Sequence, residues 1–423
     1  MKRRMVLLGL VCVVATTLFA CGGGSSSGGG NTRQVLVDYN NPDFANLVLA
    51  YFPSSVAVHP GDTVHFKQAW NGEPHSVTMG TLVDKGLDIV NPLLQKYPGG
   101  EGAPPEAQNQ FDAAFQDLPF MFGNGGPTEI NQAAAQPCYL ESGTPPSDKD
   151  KPCPKRVQPA FTGKQAYYSS GFIPYAGNNG NSFNVKLAPD IKPGTYRYYC
   201  NLHGPEMQGS IVVKPKGATI PSQSAVDKAA LSQAKSHVKP VAEALDKLAA
   251  SGPFDINKAI DIAKIEPAPD DKLKAAIKGF ALAGYGVQAE QSVLANEFLP
   301  RTIHAKVGEK VTWAFFGIHT VSFDVPRYFS ILTIGKDGKV AFDQRASATR
   351  GKGFPDSLPD DHPNPFVVDG GNWNGTGFIS SGFPPDTNGP TDVMAYSLTF
   401  TKAGTYQYAC LIHPKMVGTV IVK

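Results

Sequence analysis

Gly404-Thr405-Tyr406-Gln407-Tyr408-Ala409-Cys410-Leu411-Ile412-His413 repeats, with few changes, a stretch much earlier in the chain: Gly194-Thr195-Tyr196-Arg197-Tyr198-Tyr199-Cys200-Asn201-Leu202-His203. Each copy runs on to a methionine (Met207, Met416) and then to an apolar strand, Gly209-Ser210-Ile211-Val212-Val213 and Gly418-Thr419-Val420-Ile421-Val422. A thiolate, an imidazole and a thioether on one short loop between two strands form a soft ligand set. One such loop could arise by chance. Two in matching context point to a duplicated domain rather than a solenoid.

The rest of each ligand set lies upstream. Pro74-His75-Ser76-Val77-Thr78 and Ile318-His319-Thr320-Val321-Ser322 share the order His, hydroxyl, Val, hydroxyl, and each follows a turn and a strand (Pro60–Phe66, Val307–Trp313). Ser169-Ser170-Gly171-Phe172 and Ser380-Ser381-Gly382-Phe383 stand at nearly equal distances before their cysteines and confirm the register. Two imidazoles, a thiolate and a thioether suit copper cycling between its oxidation states. A Cys200–Cys410 disulfide is the bland alternative, but it would not need His and Met at fixed spacing in both copies.

At these residues both copies resemble the cupredoxins, the blue-copper proteins of plastocyanin, amicyanin and pseudoazurin type. The resemblance covers roughly 34–80 with 161–214, and 291–324 with 376–423. It implies a mainly β protein of two Greek-key sandwiches, each with one type 1 copper. Carried over, His75, Cys200, His203 and Met207 hold one ion, and His319, Cys410, His413 and Met416 the other. His203 and His413, beside Pro205 and Pro414, are expected at the solvent edge as the route for electrons. Two residues separate His413 from Met416, an amicyanin-like spacing, and three separate His203 from Met207. Many cupredoxins have an Asn after the first His to brace the ligand loop; here Ser76 and Thr320 follow it.

The N-terminus reads as an export signal: a basic start, Met1-Lys2-Arg3-Arg4, then an apolar run to Ala20. Leu18-Phe19-Ala20-Cys21 resembles a bacterial lipobox, which makes Cys21 the lipidated first residue. The Gly/Ser run 22–30 then serves as a flexible tether. The expected place is the cell envelope, lipid-anchored to the outer face of a membrane. Of six cysteines, Cys12 leaves with the signal, and Cys138 and Cys153 remain for a disulfide in an oxidising compartment. The segments read as 1–21 signal and lipidated Cys, 22–33 tether, 34–214 first cupredoxin domain with a long insertion, 215–290 helical linker, and 291–423 second domain.

Composition is that of an ordinary globular protein: 423 residues, 41% hydrophobic and 17% charged, with a formal charge of +2 that falls close to neutral once Lys2, Arg3 and Arg4 depart. No basic run or stacking motif suggests nucleic acid. Between the copies, Val241, Leu245, Leu248, Leu273, Ile277 and Phe280 recur at helical intervals, predicting three short helices, one starting at Pro269-Asp270-Asp271 and stopping at Gly284. The segment reads as a spacer fixing the angle between the sandwiches, with His237 at its surface. The long insertions of each copy, one with a turn at Gly335-Lys336-Asp337-Gly338, are natural places for partner specificity.

Copper oxidases and copper nitrite reductases also use tandem cupredoxin domains, adding a histidine-ligated second kind of centre reached through a His beside the copper-bound Cys. Here the cysteines are flanked by Tyr199 and Asn201 and by Ala409 and Leu411, and no His-x-His occurs. Of nine histidines, His59, His65, His237, His304 and His362 are left over and scattered. The expected role is therefore an electron carrier serving redox protein partners rather than an enzyme. Copper storage or delivery, and a subunit of an oxidase-like enzyme, are the alternatives; seven Met without a cluster speak against delivery.

Overall fold

The computed structural model describes residues 30–97, 103–114, 118, 130, 158–173, 182–325, 332–334, 340–343, 353–355, 358–359, 361–385 and 392–423. Cys21, Cys138, Cys153 and the turn 335–338 lie outside them.

The chain is mainly β, as expected. The first sandwich sets a sheet ordered Tyr51–Phe52, Thr32–Val37, Thr63–Gln68, Ser182–Lys186 against one ordered Ser55–Val58, Gly204–Val213, Gly194–Cys200, Thr78–Met79, Tyr168–Ser169. Inward positions alternate with outward ones: Val64, Phe66 and Gln68 are buried in one strand, Phe183 and Val185 in its neighbour. Burying each Val or Phe of such a face stabilises by about 1.5–3 kcal/mol. Cys200 and Met207 sit inside this core with Tyr51, Phe66 and Tyr198.

The second sandwich repeats the plan. One sheet runs Phe366–Trp373, Met394–Phe400, Lys310–Phe315, Ala281–Val287, Glu290–Leu299; the other runs Thr302–Ala305, Val417–Val422, Gly404–Ala409, Ser322–Phe323, Ile379–Ser380. Trp313 is fully buried at its centre and donates from Nε1 to the Tyr408 hydroxyl at 3.1 Å. Cys410 and Met416 belong to the same core.

The sandwiches are knitted together. Asn46–Val48, from the first copy, joins the edge of the second copy's sheet, with Val48 opposite Val293. The Glu297 carboxylate accepts from the Ala45 N–H at 2.9 Å and pairs with Arg301. The helical segment completes the seam. Its first helix, Gln223–Ala250, is 28 residues long rather than short, and runs through Pro240. Ser222 caps it, accepting from the Ala225 N–H. Ala230, Ala234, Val238, Val241 and Ala244, three or four residues apart, fall on one face. That face packs with Val48 and Phe52 of the first copy and with Leu282, Tyr285 and Val293 of the second.

Two further helices, Ile256–Ala263 and Asp271–Ala276, follow, the latter capped by Asp270 close to the predicted start. Its end differs from the reading above. Phe280 lies outside the helix and Gly284 stands within the strand Ala281–Val287. A glycine there looks like a helix stop; the second metal site shows why it is needed in a strand. His237 touches the seam: its ring meets Phe52 edge-on and pairs with Glu290.

Two candidate metal centres and the carboxylate between them

The sequence repeat folds into two side-chain clusters of matching dimensions. His75, Cys200 and His203 bring their ligand atoms within 4.8 Å of one another, as do His319, Cys410 and His413. In the first, His75 Nδ1 and His203 Nδ1 are 3.0 Å apart and Cys200 Sγ lies 3.5 Å from His203 Nδ1. In the second the corresponding distances are 3.0 and 3.6 Å, with 4.0 Å from Cys410 Sγ to His319 Nδ1. Nitrogen and sulfur bound at about 2.0–2.3 Å to one small ion stand roughly 3–4 Å apart, so both clusters have the dimensions of a ligand set. Met207 and Met416 are wholly buried in the same cores as their cysteines. Two imidazoles and a thiolate in one plane with a distant thioether are the donors of a blue-copper site, and the residues present fit that ion.

Local hydrogen bonds explain the recurring hydroxyls. Ser76 Oγ accepts from the Asn201 N–H at 2.9 Å, and Thr320 Oγ1 accepts from the Leu411 N–H at 2.8 Å. Each hydroxyl thus ties the strand carrying the first His to the loop carrying Cys and the second His, which is the bracing otherwise provided by an Asn. Behind them, Thr78 meets Ser169 and Ser322 meets Ser380, while Ser170 and Ser381 accept from the N–H groups of Val77 and Val321. The Ser-Ser-Gly landmark is therefore a buried brace under each ligand.

Both thiols are held well below their ordinary value. Burial pushes them up, but the charge of the loop histidine (His203 or His413) and hydrogen bonds from both histidines outweigh it. The thiolate is the form that binds a metal. Backbone amides also point at sulfur: Ser76 N–H at 3.3 Å from Cys200, and both Thr320 N–H and Ile412 N–H at 3.4 Å from Cys410.

The expectation that His203 and His413 sit at the solvent edge fails for His413 and holds only in part for His203, whose side chain is 14% exposed. His413 is only 2% exposed, and the two imidazoles point toward one another across a single carboxylate. Glu73 Oε2 is 3.0 Å from His203 Nε2, and Glu73 Oε1 is 3.0 Å from His413 Nε2. The loop bearing Glu73 fits closely on the second ligand loop, since a Cβ on Gly72 would lie 2.0 Å from the Ile412 carbonyl oxygen. Glu73 is held well below the usual carboxylate range: burial raises it, but hydrogen bonds from His203 and His413 outweigh that. Burial pushes both imidazoles down, but the facing thiolates, and after them the Glu73 carboxylate, raise His203 to about 10 and His413 to about 9.

The far sides of the other two histidines differ. His75 Nε2 lies 3.1 Å from Asp38 Oδ2, with both side chains fully buried. Burial pushes His75 down, yet its bonds to Asp38 and Cys200 leave it above the ordinary value. His319 is pushed down, first by burial, and its Nε2 is buried with no hydrogen-bond partner among the described residues. Gly284 faces that nitrogen: a Cβ there would sit 2.4 Å from His319 Nε2 and 2.1 Å from the Phe316 oxygen, on a backbone with φ +89°. Gly284→Ala should therefore cost at least about 1 kcal/mol and disturb the second centre alone. Chemical denaturation with a metal-binding assay of each site would check this, and an undisturbed second centre would contradict it.

Asp38 and Glu73 are absent from the sequence reading, and Gly284 figures there only as a helix stop. Glu73 stands two residues before His75, but nothing in a linear pattern pairs it with His413.

No family model matches the chain. Amicyanin of Paracoccus denitrificans is 66% identical over 30 residues, 7% of this chain and 23% of amicyanin, so the chain spans less than a quarter of that relative's length. Among solved structures, a Cu(I) form of one amicyanin variant is 23% identical over 30% of this chain and 73% of the other, with a TM-score of 0.16. A reduced Cu(I) form of a second variant is 24% identical with the same coverage and score. Scores that low carry no weight for the fold. The local identity and the two β-sandwiches support a cupredoxin-like fold.

Proposed function

We propose that this chain is a copper protein with two type 1 centres that carries single electrons between redox partner proteins at the outer face of a bacterial membrane. The observation that carries the reading is the pair of His₂Cys clusters, each with a Met buried in the same core a few residues after the second His. The amicyanin-like stretch supports it. Copper, when bound, supplies a one-electron couple. The chain supplies the rest: His75, Cys200, His203 and Met207 at one centre, and His319, Cys410, His413 and Met416 at the other. The hydroxyl braces hold each set in place in both oxidation states, so little rearrangement opposes the transfer.

The carrier reading is favoured over an oxidase-like enzyme by what four of the five remaining histidines do, His304 being the fifth. His59 bonds to the Ala218 carbonyl, His65 to Asn184, His237 to Glu290 and His362 to the Pro359 carbonyl. Among the described residues, only the two clusters already described place three His, Cys, Asp or Glu ligand atoms all within 4.8 Å of one another. No described helix is long and apolar enough to cross a membrane, and tethering is assigned to Cys21. Cys21→Ala should release the protein from the membrane fraction or leave its signal uncleaved, with copper binding intact. Mass spectrometry of the N-terminus checks this, and an unlipidated Cys21 in a soluble native protein would remove the tether from the account. The proposed Cys138–Cys153 disulfide is checked by the same peptide analysis under non-reducing conditions.

A further inference from the structure

The two centres are built on one backbone plan with one residue exchanged behind the buried histidine. Val37 lies opposite Gln68 in the parallel pairing of Thr32–Val37 with Thr63–Gln68, and Ala283 lies opposite Phe315 in the pairing of Ala281–Val287 with Lys310–Phe315. The next hydrogen bond is the same in both: Ala69 N–H to the Val37 oxygen at 2.9 Å, and Phe316 N–H to the Ala283 oxygen at 2.8 Å. Asp38 and Gly284, next in line, are thus equivalent positions. Both have left-handed backbones, φ 65° and 89°. One puts a carboxylate on His75 Nε2; the other leaves only a hydrogen against His319 Nε2.

Asp38 is firmly placed, accepting also from the N–H groups of Tyr39 and Val48 and from the Asn71 amide. An imidazole that donates to a carboxylate is a more basic ligand, and a buried negative charge beside a metal favours its higher oxidation state. The sulfur ligands push the same way. Cys410 takes two amide hydrogen bonds, whereas among the described residues Cys200 takes one. Donors on sulfur withdraw its electron density and favour the lower oxidation state.

Taking the two-copper reading as its basis, we infer that Asp38 makes the first centre the weaker oxidant, so that an electron accepted there passes to the second centre through His203, Glu73 and His413. With copper bound at both centres, one electron would leave the first, oxidising it, and enter the second, reducing it. No bond breaks and no proton crosses, because Glu73 keeps both hydrogen bonds. A one-electron donor protein supplies the first centre and an acceptor protein drains the second. Asp38 and Glu73 are positioning residues: each bonds to the Nε2 side of a histidine whose Nδ1 faces the thiol.

The test uses the full chain with one centre removed at a time. Cys410→Ser keeps the first centre and Cys200→Ser the second, and each is titrated potentiometrically while its visible band is followed. The first centre should have the lower midpoint. Asp38→Gly, which copies the residue of the other copy on the same backbone, should raise that midpoint and leave the second centre's unchanged. Asp38→Asn, which keeps the shape and loses the charge, should do the same if the glycine variant fails to fold. In the two-centre protein, Glu73→Gln replaces one acceptor oxygen by a donor and should slow the redistribution of an electron injected by pulse reduction. A first centre at or above the second, or an Asp38 substitution that leaves its midpoint in place, would overturn the inference. Colourless single-centre proteins would instead overturn the copper reading beneath it.

Discussion

Copper-loaded Cys410→Ser protein should keep about half of the visible absorption of the parent and one tightly bound copper, and Cys200→Ser should do the same from the other side. The intense band of such centres comes from the thiolate–Cu(II) bond, and each cluster holds one thiol. Serine keeps the size but not the soft, readily ionised donor. The hydroxyl braces from Ser76 to Asn201 and from Thr320 to Leu411 do not involve sulfur, so each loop should keep its path. Loss of all colour from one substitution would mean that only one cluster is a blue site or that the two fail together. No loss would mean that the cluster is not a thiolate site at all.

A second large effect is expected at the seam. Ala234→Glu places a carboxylate where the helix Gln223–Ala250 is fully buried between the sandwiches. An unpaired buried charge costs several kcal/mol, a large share of the stability of most folds. Because Val48 and Phe52 belong to one sandwich and Tyr285 and Val293 to the other, the parent should unfold in a single transition. The variant should melt lower, in two steps, with the Glu73 contact to His413 lost. Calorimetry reads both. An unchanged single transition would show that the seam does not couple the sandwiches.

What could be read from sequence was local. Cysteine, histidine and methionine lie on one short loop, so their spacing is preserved in the linear pattern, and duplication lifted the signal above chance. The mainly β class followed from the same strands. The upstream histidines were found because Ser76 and Thr320 repeat beside them, and the structure gives those hydroxyls a bracing function. Contacts between the copies were not legible. Glu73 reaches His413 only because Asn46–Val48 and the long helix dock one sandwich on the other. The expectation of solvent-edge histidines carried over what suits a single domain, and the docked partner covers that edge. Gly284 misled for a related reason: a glycine signals a helix end by its freedom at positive φ, and here the same freedom makes room for an imidazole from another strand. The helix Gln223–Ala250 is longer than expected: it runs through Pro240, a residue type that ordinarily breaks a helix, and packs on both sandwiches along its length.

The most direct measurement of the central claim is a copper count with visible and EPR spectra on the loaded full chain. The account predicts two copper ions per chain, both with an intense thiolate-to-copper band and the narrow copper hyperfine splitting of a type 1 site. A single ion, or two ions without the thiolate band, would contradict it.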